Sequence, residues 1–133
     1  MKQISVLTEN KPGILADIAL LLGNSGINIE SISAETSADT SVIRLMTNDE
    51  RTASELLEKS GYKVIESRVV LVSTEDKPGQ LGRVAKRLAN EGINIESIYL
   101  LSKRGDRHIF AMKLDNETKA KQVLGKEHIL EKY

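Results

Sequence analysis

One segment of the chain occurs twice, and this repeat constrains the fold more than any other feature of the sequence. Thr8–Leu15 reads Thr-Glu-Asn-Lys-Pro-Gly-Ile-Leu, and Thr74–Leu81 reads Thr-Glu-Asp-Lys-Pro-Gly-Gln-Leu, 66 positions later. Gly26–Ile32 returns unchanged at the same offset as Gly92–Ile98. Self-similarity at a fixed period indicates copies of one structural unit. We therefore expect one domain over residues 1–66 and a second over residues 67–133.

The hydrophobic pattern predicts the same elements in each copy. Alternation at Ile4–Val6 predicts a first strand. A helix follows the Pro-Gly turn, with an apolar stripe formed by Leu15, Ile18, Ala19 and Leu22. Two strands, a second helix and a last strand are expected near residues 27–36, 41–47, 49–60 and 62–65. The order βαββαβ predicts an α+β, ferredoxin-like fold, repeated twice, with antiparallel sheets and helices on one face.

Two local features refine this plan. Pro12 suits the first turn of a helix, where its missing N–H costs nothing. We expect the side chain of Asn10, or of Asp76 in the second copy, to accept hydrogen bonds from the amides of that turn. The apolar parity of the second strand changes after Ile29, which predicts a bulge near Glu30.

The two copies differ on the first helix. Residues outside its core stripe are apolar in the first copy and polar in the second: Ile14, Leu20 and Leu21 correspond to Gln80, Lys86 and Arg87. A helix that is apolar on nearly all sides is buried on nearly all sides. We therefore expect the first helix of copy one to contact another module or subunit.

The third strand of the second copy is apolar on both parities. Phe110, Met112 and Leu114 share one parity, and Ile109 and Ala111 share the other. If the second set faces the helices, the first set forms an apolar patch on the open face of the sheet. Such a patch marks association. Together with the apolar helix of copy one, it predicts a homodimer.

Composition argues against several classes of function. The chain has 19 basic and 19 acidic residues, so no net charge recruits nucleic acid or a membrane surface. Its few aromatic residues, three Tyr and one Phe, do not make the stacking platform of an RNA-binding sheet. Cysteine is absent, which rules out disulfides and thiolate metal sites. With no signal peptide and no apolar run long enough for a bilayer, we expect a cytoplasmic protein.

Candidate catalytic and metal residues are scarce. His108 and His128 have no acidic partners at metal-ligand spacing in the sequence. Two isolated histidines also give no Ser-His-Asp arrangement. Glu30 and Glu96 occupy equivalent positions of the two copies, which indicates a shared structural need. We therefore expect no metal, no cofactor and no catalytic residue.

The repeated Pro-Gly turn has a direct chemical use. A helix N-terminus presents unpaired N–H groups and a partial positive charge, which suit a carboxylate. Glycine lets a ligand approach the backbone closely. The side chain of Asn10 or Asp76 could instead meet an ammonium group. A Pro-Gly turn alone is also an ordinary helix start, but its repetition with Gly-Ile-Asn-Ile at identical spacing makes the pattern specific.

These residues resemble the signature of the ACT domain, which is an Asp/Asn-x-Pro-Gly-x-Leu turn, a helix and then Gly-(Ile/Val)-Asn-Ile. The resemblance covers both copies and thus nearly the whole chain. It implies a tandem pair of ferredoxin-like regulatory modules. Such modules pair through their sheets or helices and bind small ligands, typically amino acids, at the interface.

By the same resemblance, each turn supplies one wall of a site, and the second strand of a neighbouring module supplies the other. The implied residues of the first copy are Asn10, Lys11, Pro12, Gly13, Ile14, Leu15, Asn28 and Ile29. Those of the second copy are Asp76, Lys77, Pro78, Gly79, Gln80, Leu81, Asn94 and Ile95. Gln80 can hydrogen-bond a polar ligand side chain, whereas Ile14 can only pack. We therefore expect the second turn to be the more selective.

The resulting hypothesis is a freestanding, non-catalytic sensor of a free amino acid that acts through assembly or through a partner enzyme or regulator. Three alternatives stay open. The chain could be the small regulatory subunit of an amino-acid biosynthetic enzyme. It could be an acylphosphatase-like enzyme, although such chemistry needs an Arg and an Asn around a phosphate loop and only Arg83 lies near a turn in sequence. It could also bind nothing and serve only to dimerise.

Overall fold

Each copy of the repeat folds into the predicted order of elements. In the first copy these are β1 Lys2–Glu9, α1 Ile14–Asn24, β2 Ile29–Ser37, β3 Thr40–Thr47, α2 Glu50–Lys59 and β4 Lys63–Arg68. In the second copy they are β5 Val70–Glu75, α3 Gln80–Asn90, β6 Ile95–Arg104, β7 Arg107–Leu114, α4 Glu117–Leu124 and β8 Ile129–Leu130. The computed structural model describes residues 1–131.

The chain divides into two units, one of residues 2–67 and one of Met1 with the chain from Arg68 onward. The sheet of the first unit has the strand order β2-β3-β1-β4, and that of the second has the order β6-β7-β5-β8. The strand pairs with a defined register are antiparallel. The α+β, ferredoxin-like fold of each copy is therefore confirmed, while the domain boundary between residues 66 and 67 stays a prediction.

In each unit a core forms where one face of the sheet meets the two helices. The buried residues of the first core are Ile4, Val6, Ile18, Leu22, Ile27, Ile43, Leu45, Ala53 and Leu57. Those of the second are Val70, Val72, Val84, Leu88, Ile93, Phe110, Met112, Ala120 and Leu124. Burying one large aliphatic side chain contributes about 1.5–3 kcal/mol, so these two clusters supply much of the stability of each unit.

The apolar stripe of α1 differs from the prediction. Ile18 and Leu22 are buried, and Ile14 and Leu21 pack against the core from its edge. Leu15 was expected in the stripe but is 44% exposed, because it lines an open hollow beside the Pro-Gly turn. Of the residues assigned to the outer face, Leu20 is 61% exposed. The expected contact of α1 with a further module or subunit stays a prediction.

In β7, the third strand of the second copy, Phe110 and Met112 face the helices and not the open side of the sheet. Phe110 and Met112 belong to the core under the helices. The reason is the register, because Phe110 pairs with Val72, and directly paired residues share one face of a sheet. Hence the expected patch of Phe110, Met112 and Leu114 is wrong, because Leu114 also packs against this core. Ile109 and Ala111 lie on the other face of the strand, where both are buried.

The predicted bulge is confirmed in both copies. The pairing of β2 with β3 shifts between Ile29 and Ser31, and the pairing of β6 with β7 shifts between Ile95 and Ser97. A further shift that the sequence did not indicate lies between Leu100 and Ser102 in β6. The repeated bulge therefore belongs to the shared plan of the two units.

The start of each first helix corrects the prediction for Pro12. Helix α1 begins at Ile14, after a Pro-Gly turn, and its N-cap is Gly13 with φ 92°. Helix α3 begins at Gln80, after Gly79 with φ 86°. Neither helix has a side-chain cap, so the expected capping by Asn10 or Asp76 is wrong. A φ near 90° strongly favours glycine, and it turns the chain from the strand into the helix without help from a side chain.

We predict opposite effects of alanine at two neighbouring glycines of α3 and its turn. Gly79→Ala should lower the free energy of unfolding by about 1–2 kcal/mol, because an L side chain is strained in the left-handed region. Gly82→Ala should raise it by about 0.5–1 kcal/mol, because Gly82 lies within the helix and alanine is the better helix former. A Cβ at either position meets no atom within 4 Å, so Gly82→Ala is a matched control in denaturant unfolding. A stabilised Gly79→Ala would contradict the assigned turn.

Candidate functional site

The Pro-Gly turn of each unit is attached to the hairpin that joins the second and third strands. In the first unit the Asn10 N–H donates to Asp39 O at 2.8 Å, and Asn10 Nδ2 donates to Ala38 O at 3.2 Å. In the second unit the Asp76 N–H donates to Asp106 O at 2.7 Å. These bonds hold the turn in one place at the end of the sheet.

Each turn leaves backbone donors exposed at the helix start. The first intrahelical bond in α1 runs from the Asp17 N–H to Gly13 O at 2.9 Å. Within residues 1–131, the N–H groups of Leu15 and Ala16 have no acceptor. The same holds in α3 for Leu81 and Gly82. Unpaired amides at a helix N-terminus form a site for an anion such as a carboxylate.

The two turns differ in the side chain that precedes the Lys-Pro-Gly sequence. Asn10 is neutral and bonds to the hairpin backbone. The Asp76 carboxylate lies 2.9 Å from His108 Nε2 and 3.4 Å from Lys103 Nζ. The sequence shows no acidic residue at metal-ligand spacing from either histidine, but folding brings Asp76 to His108 and places Glu127 3.3 Å from His128. The second turn therefore has a more charged environment than the first.

The lysines of both turns fold back onto the glutamate at the end of the preceding strand. Lys11 Nζ lies 2.6 Å from Glu9 Oε2, and Lys77 Nζ lies 3.0 Å from Glu75 Oε2. The hydrogen bond and the charge of Lys11 lower the pKa of Glu9, and Lys77, with a smaller effect of Arg107, lowers the pKa of Glu75. Both pairs are exposed, so their contribution to stability is small.

The asparagine of each Gly-Ile-Asn-Ile segment has its backbone engaged in the fold. The Asn28 N–H donates to Asn48 Oδ1 at 3.0 Å, and the Asn48 N–H donates to Asn28 O at 3.2 Å. Asn94 makes the equivalent pair with Asp115, at 2.9 and 3.2 Å. The side-chain amides of Asn28 and Asn94 have no partner among the residues that the structure describes. They are exposed and available to a ligand.

Sequence reasoning missed the partners of these asparagines. Asn48 and Asp115 directly precede the N-caps of α2 and α4, Asp49 and Asn116. The available signal was the pair of polar residues between strand and helix in both copies, Asn48-Asp49 and Asp115-Asn116. One residue of each pair caps the helix and the other holds the second strand.

The turn and the asparagine of one unit lie at opposite ends of its sheet. Thr8, next to the first turn, pairs with Ser41, whereas Ile29 pairs with Thr47. Six strand positions separate these partners along β3, which corresponds to roughly 20 Å at 3.3 Å per residue. The second unit has the same separation, from His108 to Leu114. Neither unit brings its own two groups of implied residues together, so a joint site needs another module.

Within the first unit the turn borders a different set of residues. A hollow of about 170 Å³ is lined by Asn10, Lys11, Ile14 and Leu15 together with Thr8, Glu9, Ala34, Thr36, Ser41 and Ile43. Thr36 and Ser41 pair across the β2-β3 hairpin and were not predicted. Their hydroxyl groups add polar contacts beside the exposed amides of α1.

Neither a metal site nor a membrane span is found within residues 1–131. No cluster of three or more His, Cys, Asp or Glu residues in this part of the chain could hold a metal ion. Its helices are also too short or too polar to cross a membrane.

Comparison with known families identifies the repeat. The sequence model of a family described as an ACT domain pair matches residues 1–132. Among curated proteins, the small subunit of acetolactate synthase from Mycobacterium avium is 37% identical over 75 residues. That match covers 55% of this chain and 44% of the mycobacterial protein, so the chain spans less than half of that relative.

Two solved structures resemble this chain over most of its length. A protein from Bacteroides thetaiotaomicron superposes with a TM-score of 0.89 at 27% identity, over 97% of this chain and 90% of that one. The ligand-free regulatory subunit of aspartate kinase from Thermus thermophilus superposes with a TM-score of 0.70 at 20% identity, over 92% and 87% of the two chains. The latter shows a common fold.

We predict that the lysine of the second turn controls the titration of Glu75. Lys77→Gln should raise the pKa of Glu75, because it removes the hydrogen bond and the charge that lower it. A lowered carboxyl pKa contributes stability at pH values above the unfolded pKa, and this contribution is lost as the pH falls through the folded pKa. Lys77→Gln should therefore weaken the acid dependence of unfolding. Carboxyl NMR titration checks the pKa, with Lys86→Gln as the control, and an unchanged Glu75 would contradict the contact.

Proposed function

The chain belongs to the ACT domain pair family, and we propose that it is a non-catalytic regulatory protein that binds a free amino acid at its Pro-Gly turns. The match over residues 1–132 confirms the resemblance on which the sequence analysis relied.

The main support for this proposal is that each turn presents unpaired amides at the start of a helix, and that hydrogen bonds to the neighbouring hairpin hold this start in place. The Leu15 and Ala16 amides in the first unit, and the Leu81 and Gly82 amides in the second, suit the carboxylate of an amino acid. The left-handed glycine before each helix has no side chain, so a ligand can reach the backbone.

The ammonium group needs an acceptor, and the carboxylate of the second turn, Asp76, is already paired with His108 and Lys103. We propose that the side-chain oxygen of Asn28 or Asn94, on a neighbouring module, accepts from it. Both side chains lack a partner within residues 1–131, and each lies about 20 Å from the turn of its own unit by strand spacing. A ligand held between a turn and such an asparagine connects two modules. The ligand stabilises the packed modules relative to the separated ones by the difference in its affinity for these two states.

The second turn is proposed as the more selective one. Gln80 occupies the position of Ile14, and its side chain has no hydrogen-bond partner in the described part of the chain. A site built to hydrogen-bond a polar ligand side chain discriminates strongly against an apolar analogue, because the protein group would then be left unpaired. We therefore propose that the second unit recognises an amino acid with a polar side chain.

A homodimer completes the proposal. Ile32 in β2 and Ile98 and Leu100 in β6 are 40–45% exposed. Ile32 pairs with the core residue Leu45 and Ile98 with Met112, so all lie on the helix-bearing face. Both strands are at the edge of their sheets, where unpaired backbone groups favour association. A second copy could cover this apolar surface.

A second candidate function is the small regulatory subunit of an amino-acid biosynthetic enzyme. The partial match to an acetolactate synthase small subunit favours it. In that case the amino acid would act on a separate catalytic chain. Co-purification with a large catalytic subunit would distinguish this role from that of a free sensor. The cytoplasmic location stays a prediction, as does the absence of catalysis.

We predict that one or a few of the twenty amino acids raise the melting temperature selectively, because only a folded site binds them. At a ligand concentration 100 times Kd, linkage gives about 2.7 kcal/mol of stabilisation. Sedimentation with and without the effective amino acid should show a dimer in its presence. A screen at millimolar concentration without any melting shift would count decisively against the proposal.

Variants of the two turns locate the binding. Gly79→Val should abolish binding at the second turn, with Gly61→Val, at a glycine of similar φ outside the proposed site, as the matched control. Gln80→Ile reproduces the first turn and should reduce the preference for a polar amino acid by about tenfold or more, as expected for losing one good hydrogen bond. Calorimetry measures both effects. Binding that survives Gly79→Val in a folded protein would exclude the second turn as the site.

A further inference from the structure

The second unit contains a pocket that shares only Gln80 with the proposed amino-acid site. It is a cavity of about 320 Å³ between α3, β5, β7 and the loop before β8. Its lining residues are Glu75, Gln80, Arg83, Val84, Arg87, Arg107, Glu127 and His128. Three arginines from two separate elements meet in it, and we name it the arginine pocket. Its volume is at the lower end of the range found for small-molecule sites.

Arg107 is held rigidly at the wall of this pocket. Its Nε donates to Ser73 Oγ at 2.9 Å, and its Nη2 donates to Ser73 O and to Glu127 O, both at 3.0 Å. His128 Nδ1 lies 2.8 Å from Ser73 O as well. Since a carbonyl oxygen only accepts, that nitrogen carries the proton. The Nη1 group of Arg107 has no partner within residues 1–131, so it remains as a positioned donor.

The other two arginines differ in how far they are already paired. The Arg87 guanidinium donates to Val123 O and lies 3.6 Å from Glu127 Oε1. The Arg83 side chain has no hydrogen bond or ion pair with any residue of 1–131. An arginine left without a partner next to a fixed second guanidinium is available to an incoming anion.

Two carboxylates also line the pocket, and each has a partner. Glu75 pairs with Lys77 at 3.0 Å, and Glu127 lies 3.6 Å from Arg87 and 3.3 Å from His128 Nε2. The three arginines therefore exceed the two carboxylates by one positive charge, before any charge on His128 is counted. The excess is concentrated at Arg83 and Arg107, which lack a carboxylate within ion-pair distance.

The first unit lacks this chemistry at the corresponding place. Its hollow there is lined by Leu7, Thr8, Glu9, Ile14, Thr40, Ser41, Val42, Gly61, Tyr62 and Lys63. By the repeat, Ile14, Asp17 and Leu21 stand where the second unit has Gln80, Arg83 and Arg87. Thr40 pairs with Glu9 in the first sheet, and Arg107 pairs with Glu75 in the second, so Thr40 occupies the position that corresponds to Arg107. All three arginines are therefore particular to the second unit and are not required by the shared fold.

We propose that the arginine pocket is a second ligand site, which binds a small molecule through a carboxylate or phosphate group. Guanidinium groups match both oxyanions through paired N–H donors. Arg83 and Nη1 of Arg107 would hold the anion, and Gln80 would contact an attached polar group. This site requires only the second unit, whereas the proposed amino-acid site joins a turn to another module, so the two proposals can fail independently.

Calorimetric titration with inorganic phosphate and with succinate, at constant ionic strength set with chloride, tests this proposal. We expect at least one of them to bind with one site per chain. Arg83→Gln should weaken binding about tenfold or more, in line with the loss of a hydrogen bond between charged groups. Binding of phosphate alone indicates a phosphorylated ligand, and binding of succinate alone indicates a dicarboxylate.

The control compares two equal charge changes on one helix. Arg87→Leu and Lys86→Leu each replace a cation of α3 with the leucine found at the same position of the first copy. Lys86 does not line the pocket, so Lys86→Leu should bind like the parent protein, while Arg87→Leu should bind more weakly. Circular dichroism verifies that each variant is folded. No binding of either probe, or equal weakening by both leucine variants, would overturn the proposal.

Discussion

The left-handed glycine between the first strand and the first helix is the constraint on which each unit depends. Gly13 and Gly79, at φ 92° and 86°, let the chain leave the sheet and begin a helix without a capping side chain. The same geometry leaves amides unpaired at the helix start. Hydrogen bonds from Asn10 and Asp76 to the neighbouring hairpin fix the position of that start. The feature that shapes the fold thus also creates the donors that a carboxylate would use.

The two copies use this common frame differently. In the first, Ile14 and Leu21 extend the core of the unit to the edge of α1. In the second, Gln80 and Arg87 replace them and border a charged pocket instead. The first unit has a mostly apolar hollow at this place. In the second unit, substitutions on one face of α3, together with Arg107 from β7, give a hollow that suits an anion. The two units therefore share one backbone fold but differ in the residues that line this hollow.

Much of the fold could be predicted because its signals are local. The repeat, the Pro-Gly turn and the change of parity after Ile29 each lie within a few residues, and they gave the element order and the bulge. The orientation of β7 could not be predicted in this way, because Ile109–Met112 is apolar on both parities and only its register with β5 decides which side meets the helices. Alternation carries no information where both faces are apolar.

The candidate site shows the same limit. The residues of the turns were accessible from the sequence, since they follow one another along the chain. The pairing of Asn28 with Asn48, of Asp76 with His108, and of Arg107 with Ser73 joins residues 20 to 34 positions apart. Such contacts depend on strand register and on the hairpins, which no local pattern specifies. The arginine pocket was missed for this reason, although Arg83 and Arg87 share one face of a helix.

Amide hydrogen exchange, measured with and without the amino acid that stabilises the protein most, tests the central claim directly. A ligand that bridges a turn and a neighbouring module should slow exchange in two separate segments of the second copy at once. These are the helix start around Gly79–Arg83 and the strand start around Asn94–Ser97. Protection of both segments is the predicted result. Protection confined to other parts of the chain, with both segments unchanged at saturation, would contradict binding at the Pro-Gly turn.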